Sequence, residues 1–265
     1  MSVSLSGAWD THVHTAPDSR PRWHTADELA DLAAAADMAG LVLKNHERST
    51  VGPATGAQEN HPGLDIAGGI VLNRSQGGLD TAVVEQALAS GARIIWLPTK
   101  DGRGDSGDLD ALNAPALTEI LERIAAADAV LATGHIAAEE VLPVARAARR
   151  AGVKRILINH PEIPFNVFEP DLQKALRDEG AYLERCYPRP ESDTGFAGIA
   201  RDLLDVGAES TILATDLGRT DLPPPLDGLR EMLTMLAEHG VPESDLDRAV
   251  RQNPRLLFAP RGALS

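Results

Sequence analysis

The stretch Ser6-Gly7-Ala8-Trp9-Asp10-Thr11-His12-Val13-His14 decides how this chain folds. It is a short β-type run that ends on alternating polar residues, and side chains alternate between faces along a strand. Asp10, His12 and His14 are therefore expected on one face, where two imidazoles two residues apart can grip one cation. Three further runs end on residues of similar chemistry: Ala129-Val130-Leu131-Ala132-Thr133-Gly134 before His135, Arg155-Ile156-Leu157-Ile158-Asn159 before His160, and Thr211-Ile212-Leu213-Ala214-Thr215 before Asp216. Imidazole with carboxylate suits Zn, Mn, Fe or Co better than Ca or Mg, which prefer shells of oxygen. The pattern predicts a divalent transition-metal centre.

Working outward, eight β-rich runs are found, at residues 7–14, 40–46, 65–73, 93–99, 129–135, 155–160, 181–185 and 211–216. Alanine-rich helical stretches separate them, and strict βα alternation implies a parallel sheet. Eight such units imply closure into a (β/α)8 TIM barrel of the α/β class, in which functional residues sit at the C-terminal ends of the strands. The helices carry local signals of their own. Thr25-Ala26-Asp27-Glu28 reads as a capping box before Leu29, Leu32 and Ala36, and Gly40 is expected to end that helix. Helices are further expected over residues 137–151, with Pro143 early in the segment, and over 170–179 and 226–239. A last helix over 242–257 has no strand after it and is expected to pack outside the barrel.

At 265 residues and 43% hydrophobic content the chain can bury a large core, and it is read as a single domain spanning 1–265. A net charge of −14 argues against nucleic acid, whose binding rests on clustered Lys and Arg. One cysteine, Cys186, excludes an intramolecular disulfide. Neither a secretory leader nor an apolar run of membrane-spanning length is visible, so a cytoplasmic location is expected, with no membrane partner. The expected partner is a small-molecule substrate, with association into a homo-oligomer left open.

With these residues in hand, the chain resembles the metal-dependent amidohydrolase superfamily. That superfamily carries H-x-H on strand one, histidines ending strands five and six, and an aspartate ending strand eight; His12, His14, His135, His160 and Asp216 match in order. The resemblance covers nearly the whole chain, down to Asn253-Pro254-Arg255-Leu256-Leu257-Phe258. His12-Val13-His14-Thr15-Ala16-Pro17-Asp18, Leu43-Lys44-Asn45-His46, Thr133-Gly134-His135 and Ala214-Thr215-Asp216-Leu217-Gly218 are most similar to a poorly characterised subgroup of amidohydrolases, which implies no settled substrate. The resemblance implies His12, His14, His135, His160 and Asp216 as metal ligands, for one or two ions, with Zn first and Mn or Fe as alternatives.

One departure matters. Many binuclear members bridge their metals with a carboxylated lysine or a glutamate from strand four, whereas strand four here ends Ile95-Trp96-Leu97-Pro98-Thr99-Lys100, placing Lys100 beyond the strand. Lys44 is the candidate substitute, as a carboxylated lysine, a deprotonated amine or a cation paired with an anion; a solvated lysine is the alternative reading. Asp10 is expected to orient a ligand imidazole or the bottom of the site rather than bind metal itself. His46 is open between a site role and none. Glu162 is read as an extra ligand or substrate contact, Cys186 as a packed thiol, and His24, His61 and His239 as surface residues. Arg20, Arg22, Arg74, Arg103, Arg185 and Arg219 are the candidates for holding an anionic substrate group.

A cation held by neutral imidazoles would lower the pKa of bound water from 15.7 to about 7. Asp216 beside that water could take its proton and return it to the leaving group. The expected activity is therefore hydrolysis of an amide, cyclic amide, ester or lactone in a small molecule, with Asp216 and Lys44 as the catalytic residues. A metal-dependent decarboxylase and a phosphoesterase of the PHP type are the alternatives, and a non-enzymatic binding protein stands outside both.

Overall fold

The computed structural model describes residues 3–190, 192 and 195–258. Two compact units make up the chain: Met1–Lys44 with Gly52–Gly68 and Arg185–Ser265, and Asn45–Val51 with Gly69–Glu184. Among the described residues there are nine strands: β1 (Trp9–His14), β2 (Gly40–Lys44), β3 (Asp65–Ala67), β4 (Gly69–Val71), β5 (Ile94–Trp96), β6 (Val130–Ala132), β7 (Arg155–Asn159), β8 (Tyr182–Cys186) and β9 (Thr211–Ala214). The helices are α1 (Ala26–Ala35), α2 (Val51–Asn60), α3 (Thr81–Ala89), α4 (Leu117–Ala127), α5 (Ala138–Arg150), α6 (Pro170–Asp178), α7 (Gly195–Val206), α8 (Pro225–Glu238), α9 (Glu243–Asp247) and α10 (Asn253–Phe258). Parallel strands alternating with helices define the α/β class and the repeating unit of the (β/α)8 barrel.

In the first unit β1, β2 and β3 lie side by side and parallel. The end of β9 joins β1 directly: the Asp216 N–H donates to the His12 carbonyl at 2.7 Å and the His14 N–H to the Leu217 carbonyl at 2.8 Å. Leu29, Ala30, Ala33, Leu43, Leu213, Leu229, Met232 and Leu236 are fully buried in its core. Each buried leucine contributes about 1.5–3 kcal/mol relative to an exposed one. The capping box at the start of α1 is formed as expected, with Thr25 accepting from the Glu28 N–H and Glu28 accepting from the Thr25 N–H.

In the second unit β4 to β8 follow one another in chain order, all parallel. The inward positions of α5, Val141, Val144, Ala145 and Ala148, recur at three- and four-residue spacing and are fully buried.

Eight runs become nine strands because the third run breaks at Gly68 into β3 and β4. Beside the break, Thr50 donates through its hydroxyl to the Gly69 carbonyl at 3.2 Å and accepts the Gly69 N–H at 3.0 Å. The Thr50 N–H also donates to the Gly69 carbonyl at 3.0 Å, while Gly69 stays in register with Ile94 of β5. The ordered strands are also shorter than the runs, so His46, Thr99, His135, His160 and Asp216 all lie just past strand ends. The expected last helix is three segments, with a π-helical turn over Arg248–Gln252 between α9 and α10. It is tied to the start of β1 and the segment before β9. Phe258 stacks on Trp9 at 6.2 Å, and Asn253 donates to the Ala208 and Thr211 carbonyls at 2.7 and 2.6 Å. Among the described residues no helix is long and apolar enough to cross a membrane.

Candidate metal centre

The first unit brings His12, His14 and Asp216 together. Register slips between Asp10 and Val13, so that Thr11 and His12 of β1 oppose Val42 alone on β2. Bulges of this kind re-aim a side chain. Both imidazoles meet one carboxylate oxygen: Nε2 of His12 lies 3.1 Å and Nε2 of His14 3.0 Å from Asp216 Oδ1. The other oxygen, Oδ2, accepts from Arg189 Nη2 at 2.6 Å. Burial pushes the His14 pKa down to about 3, with Asp216 offsetting only part of the effect, so the ring is neutral.

Asp10 does not reach an imidazole. Its Oδ1 accepts the backbone N–H of His12 at 3.2 Å and of Thr215 at 3.0 Å, and its Oδ2 accepts the Thr215 hydroxyl at 2.6 Å. Burial pushes its pKa up to about 6 against these hydrogen bonds. Of the two expected roles, Asp10 thus takes the one of orienting the chain at the base of the site rather than a ligand ring.

Asp216 has a φ of 52°, in the left-handed region. Such a conformation in a non-glycine residue costs of order 1–3 kcal/mol and persists where the surroundings over-determine it. Gly218, two residues on, has φ 138°, and a Cβ there would fall 2.0 Å from the His14 carbonyl oxygen. The turn after β9 can approach β1 only because position 218 lacks a side chain.

The second unit gathers His46, His135 and His160. Ring centroids are 6.1 Å apart for His46 and His135 and 5.3 Å apart for His135 and His160. His46 Nδ1 meets the Thr99 hydroxyl at 2.8 Å, and Thr99 accepts from Asn73 Nδ2 at 2.9 Å. His135 Nδ1 meets Asp105 Oδ2 at 2.9 Å, a carboxylate contact that fixes the ring and directs Nε2 away from it. His160, with φ 49°, donates its N–H to the Glu184 carbonyl at 3.0 Å. The Glu184 carboxylate is fully buried and accepts from Asn159 Nδ2 at 2.6 Å. Gly134, with φ 61°, lies so close to β5's end that a Cβ would sit 2.3 Å from the Leu97 carbonyl oxygen.

Both units present donor sets of the kind divalent metals take. Ligand atoms of His12, His14 and Asp216 lie within 4.8 Å of one another, as do those of His160 and Glu184 in the second unit and of His12 and Cys186 in the first. Metal–ligand bonds of about 2.0–2.2 Å put donor atoms of a tetrahedral shell about 3.4 Å apart. The separations from the two imidazoles to Asp216 are near that value, and a neutral His14 offers a lone pair rather than a charge. This donor set fits a transition ion.

Lys44 ends β2, fully buried and in register with His14. Lys100 instead pairs with Glu47 at 2.7 Å, both side chains substantially exposed, and so serves a surface ion pair. Glu162 is half-buried in the turn after His160. Of the candidate arginines, Arg185 is fully buried and donates to the Asp202 carbonyl at 3.1 Å, away from solvent. Arg74 pairs with Asp101 and Asp108, and Arg103 with Asp110 and Glu139. His61 pairs with Asp31 at 2.9 Å. Sequence reasoning missed Arg189 and Asp105, which lie in loops without periodicity, whereas Glu184 stood among the reactive residues expected at strand ends.

The fold is shared with solved structures of several hydrolases and a decarboxylase. The chain is similar to an amidohydrolase from Pseudomonas aeruginosa, at 12% identity and a TM-score of 0.69, over 96% of this chain and 97% of that one. It is similar also to the organophosphorus hydrolase from Deinococcus radiodurans, at 16% identity and a TM-score of 0.64, over 96% and 93%. The 2,6-dihydroxybenzoate decarboxylase from Rhizobium is a third, at 12% identity and a TM-score of 0.59, over 96% and 99%. No curated protein matches the sequence. Within that fold, the chain belongs to a family of unknown function, DUF6282, whose model matches residues 7–184.

Proposed function

We propose that this chain is a metal-dependent hydrolase that cleaves an amide, cyclic amide, ester or lactone bond in a small molecule. The observation that carries the reading is the meeting of two imidazoles from one strand on a single oxygen of Asp216. The fold is shared with an amidohydrolase and an organophosphorus hydrolase, which supports the same class. His12, His14 and Asp216 would hold a divalent ion, Zn first with Mn or Fe as alternatives, and His135 and His160 are proposed as ligands as well. One or two ions are expected.

A bound ion of this kind would supply an activated water and polarise the scissile carbonyl. The chain's own groups supply the rest. The Asp216 carboxylate takes a proton from the attacking water and returns it to the departing nitrogen or oxygen, while Arg189 keeps its outer oxygen in place. Lys44, buried beside His14, is proposed to act at the same strand ends as a carboxylated lysine or a substrate contact. The net charge of −14 supports a small-molecule partner over nucleic acid, and a cytoplasmic setting belongs to the same reading.

Metal content measured by plasma mass spectrometry on protein purified without chelator tests the proposal. About one or two equivalents of Zn, Mn or Fe in the wild type, lost in folded His12→Ala, is expected. Wild type that holds no metal and refuses added metal would sink it. The likeness to a decarboxylase favours a second reading, removal of carbon dioxide from a small acid. Carbon dioxide release during turnover separates the two.

A further inference from the structure

The turn that follows His160 in the second unit leaves two large apolar side chains open to solvent. It runs Pro161-Glu162-Ile163-Pro164-Phe165-Asn166-Val167-Phe168; Phe165 and Val167 are 50% and 52% exposed, whereas Ile163 and Phe168 are buried. Its backbone is closely tied. The Ile163 N–H donates to the His160 carbonyl at 3.0 Å, the Asn166 N–H to the Ile163 carbonyl at 2.9 Å and the Phe168 N–H to the Pro161 carbonyl at 2.8 Å. Asn166 Nδ2 fastens the tip to the Ile136 carbonyl at 2.8 Å, and Gln173 Nε2 fastens the end to the Phe168 carbonyl at 2.9 Å.

The phenyl ring carried by this turn lies against the imidazole of His135, with centroids 5.4 Å and planes 59° apart. Of the four phenylalanines in the chain, Phe168 and Phe258 are buried and Phe196 is half-buried. The one left half in water is the one that touches a proposed ligand. Bare phenyl surface is unfavourable in water, and covering it with an apolar group is favourable. Sites for small molecules combine such apolar walls with a few placed polar groups. Phe165 and Val167 together expose far less than the ~800 Å² that each partner buries in a stable protein interface, so a small apolar group suits them better than a second copy of the chain.

Resting on the hydrolase reading above, we infer that the substrate carries an aryl or branched alkyl group, which packs on Phe165 beside His135. Phe165 is then a residue that selects the substrate by its apolar part.

Calorimetric titration of the metal-loaded protein with acetohydroxamate and benzohydroxamate tests this, because the two share one metal-binding group and differ in their apolar part. Benzohydroxamate is expected to bind at least about tenfold more tightly. Phe165→Ala is expected to remove most of that difference by weakening benzohydroxamate far more than acetohydroxamate, with metal content and circular dichroism retained. Phe165→Leu, still apolar, is expected to keep part of it. Equal binding of the two probes by wild type, binding of neither, or a preference undiminished in Phe165→Ala would overturn the inference. So would a wild-type dimer that becomes monomeric in Phe165→Ala, which would assign the ring to a second copy. Failure to take up metal at all sinks the hydrolase reading, whereas metal uptake without the preference sinks only the role of Phe165.

Discussion

Asp10 and Thr215 bind each other through both carboxylate oxygens: Oδ1 takes the Thr215 N–H at 3.0 Å and Oδ2 takes its hydroxyl at 2.6 Å. The contact spans most of the chain's length and fixes the residue before Asp216 to the strand that carries His12 and His14. Asp10→Asn keeps the shape but removes the charge and one acceptor. It is expected to lower stability by about 1.5–3 kcal/mol, read as a shift of the urea midpoint. A midpoint within error of the wild type would show that the strand ends hold without it.

Asp216→Asn is expected to leave the fold intact and to reduce turnover by about 10²–10⁴ on any substrate found. Circular dichroism checks the fold and steady-state kinetics the loss. Undiminished turnover would remove Asp216 as the proton carrier.

Asp105→Asn should weaken metal binding or activity by about 10–100-fold, because the carboxylate fixes the orientation of His135 through Nδ1 at 2.9 Å. Cobalt titration followed by absorbance reads the affinity directly. Equal affinity and activity in variant and wild type would leave Asp105 a loop residue only.

Gly218→Ala places a Cβ 2.0 Å from a backbone oxygen and forces a side chain onto φ 138°. A loss of at least about 1–3 kcal/mol is expected, with a lower melting temperature. Gly63→Ala, at a site where a Cβ meets nothing within 4 Å, is the control and should be near neutral.

Burial alone would raise the Asp18 pKa, but the hydrogen bond and charge of Arg22 outweigh it and hold the carboxyl below its ordinary 3.8. Folding therefore favours the ionised form. Its contribution is present above the unfolded value and is lost as pH falls through the lower folded value. The stability gap between wild type and Asp18→Asn is expected to narrow below about pH 4 in denaturant titrations. A gap that stays constant into acid would argue against the ion pair.

The strand-and-helix alternation was legible because each run pairs β-branched or leucine-rich segments with a polar terminus, and the Thr25–Glu28 cap was legible because its spacing is local. The meeting of His12, His14 and Asp216 followed from their positions at strand ends. What stayed hidden depended on contacts distant in sequence. The break at Gly68 lies beside contacts from Thr50, which is on a different segment. The role of Asp10 depends on Thr215, and those of Arg189 and Asp105 on loop paths that no periodicity encodes. Alternation also placed His12 on the same face as His14 without foreseeing the slipped register that separates β1 from β2 there.

His160 and Asp216 share a backbone geometry, φ 49° and 52°, that most side chains resist. Asparagine, aspartate, histidine and glycine enter it readily, whereas β-branched residues are nearly barred. The repertoire open to inheritance at these two corners is correspondingly narrow. A descendant that changes its chemistry there has short polar replacements within reach, so new activities would arise by exchanging one small donor for another while the main chain keeps its path.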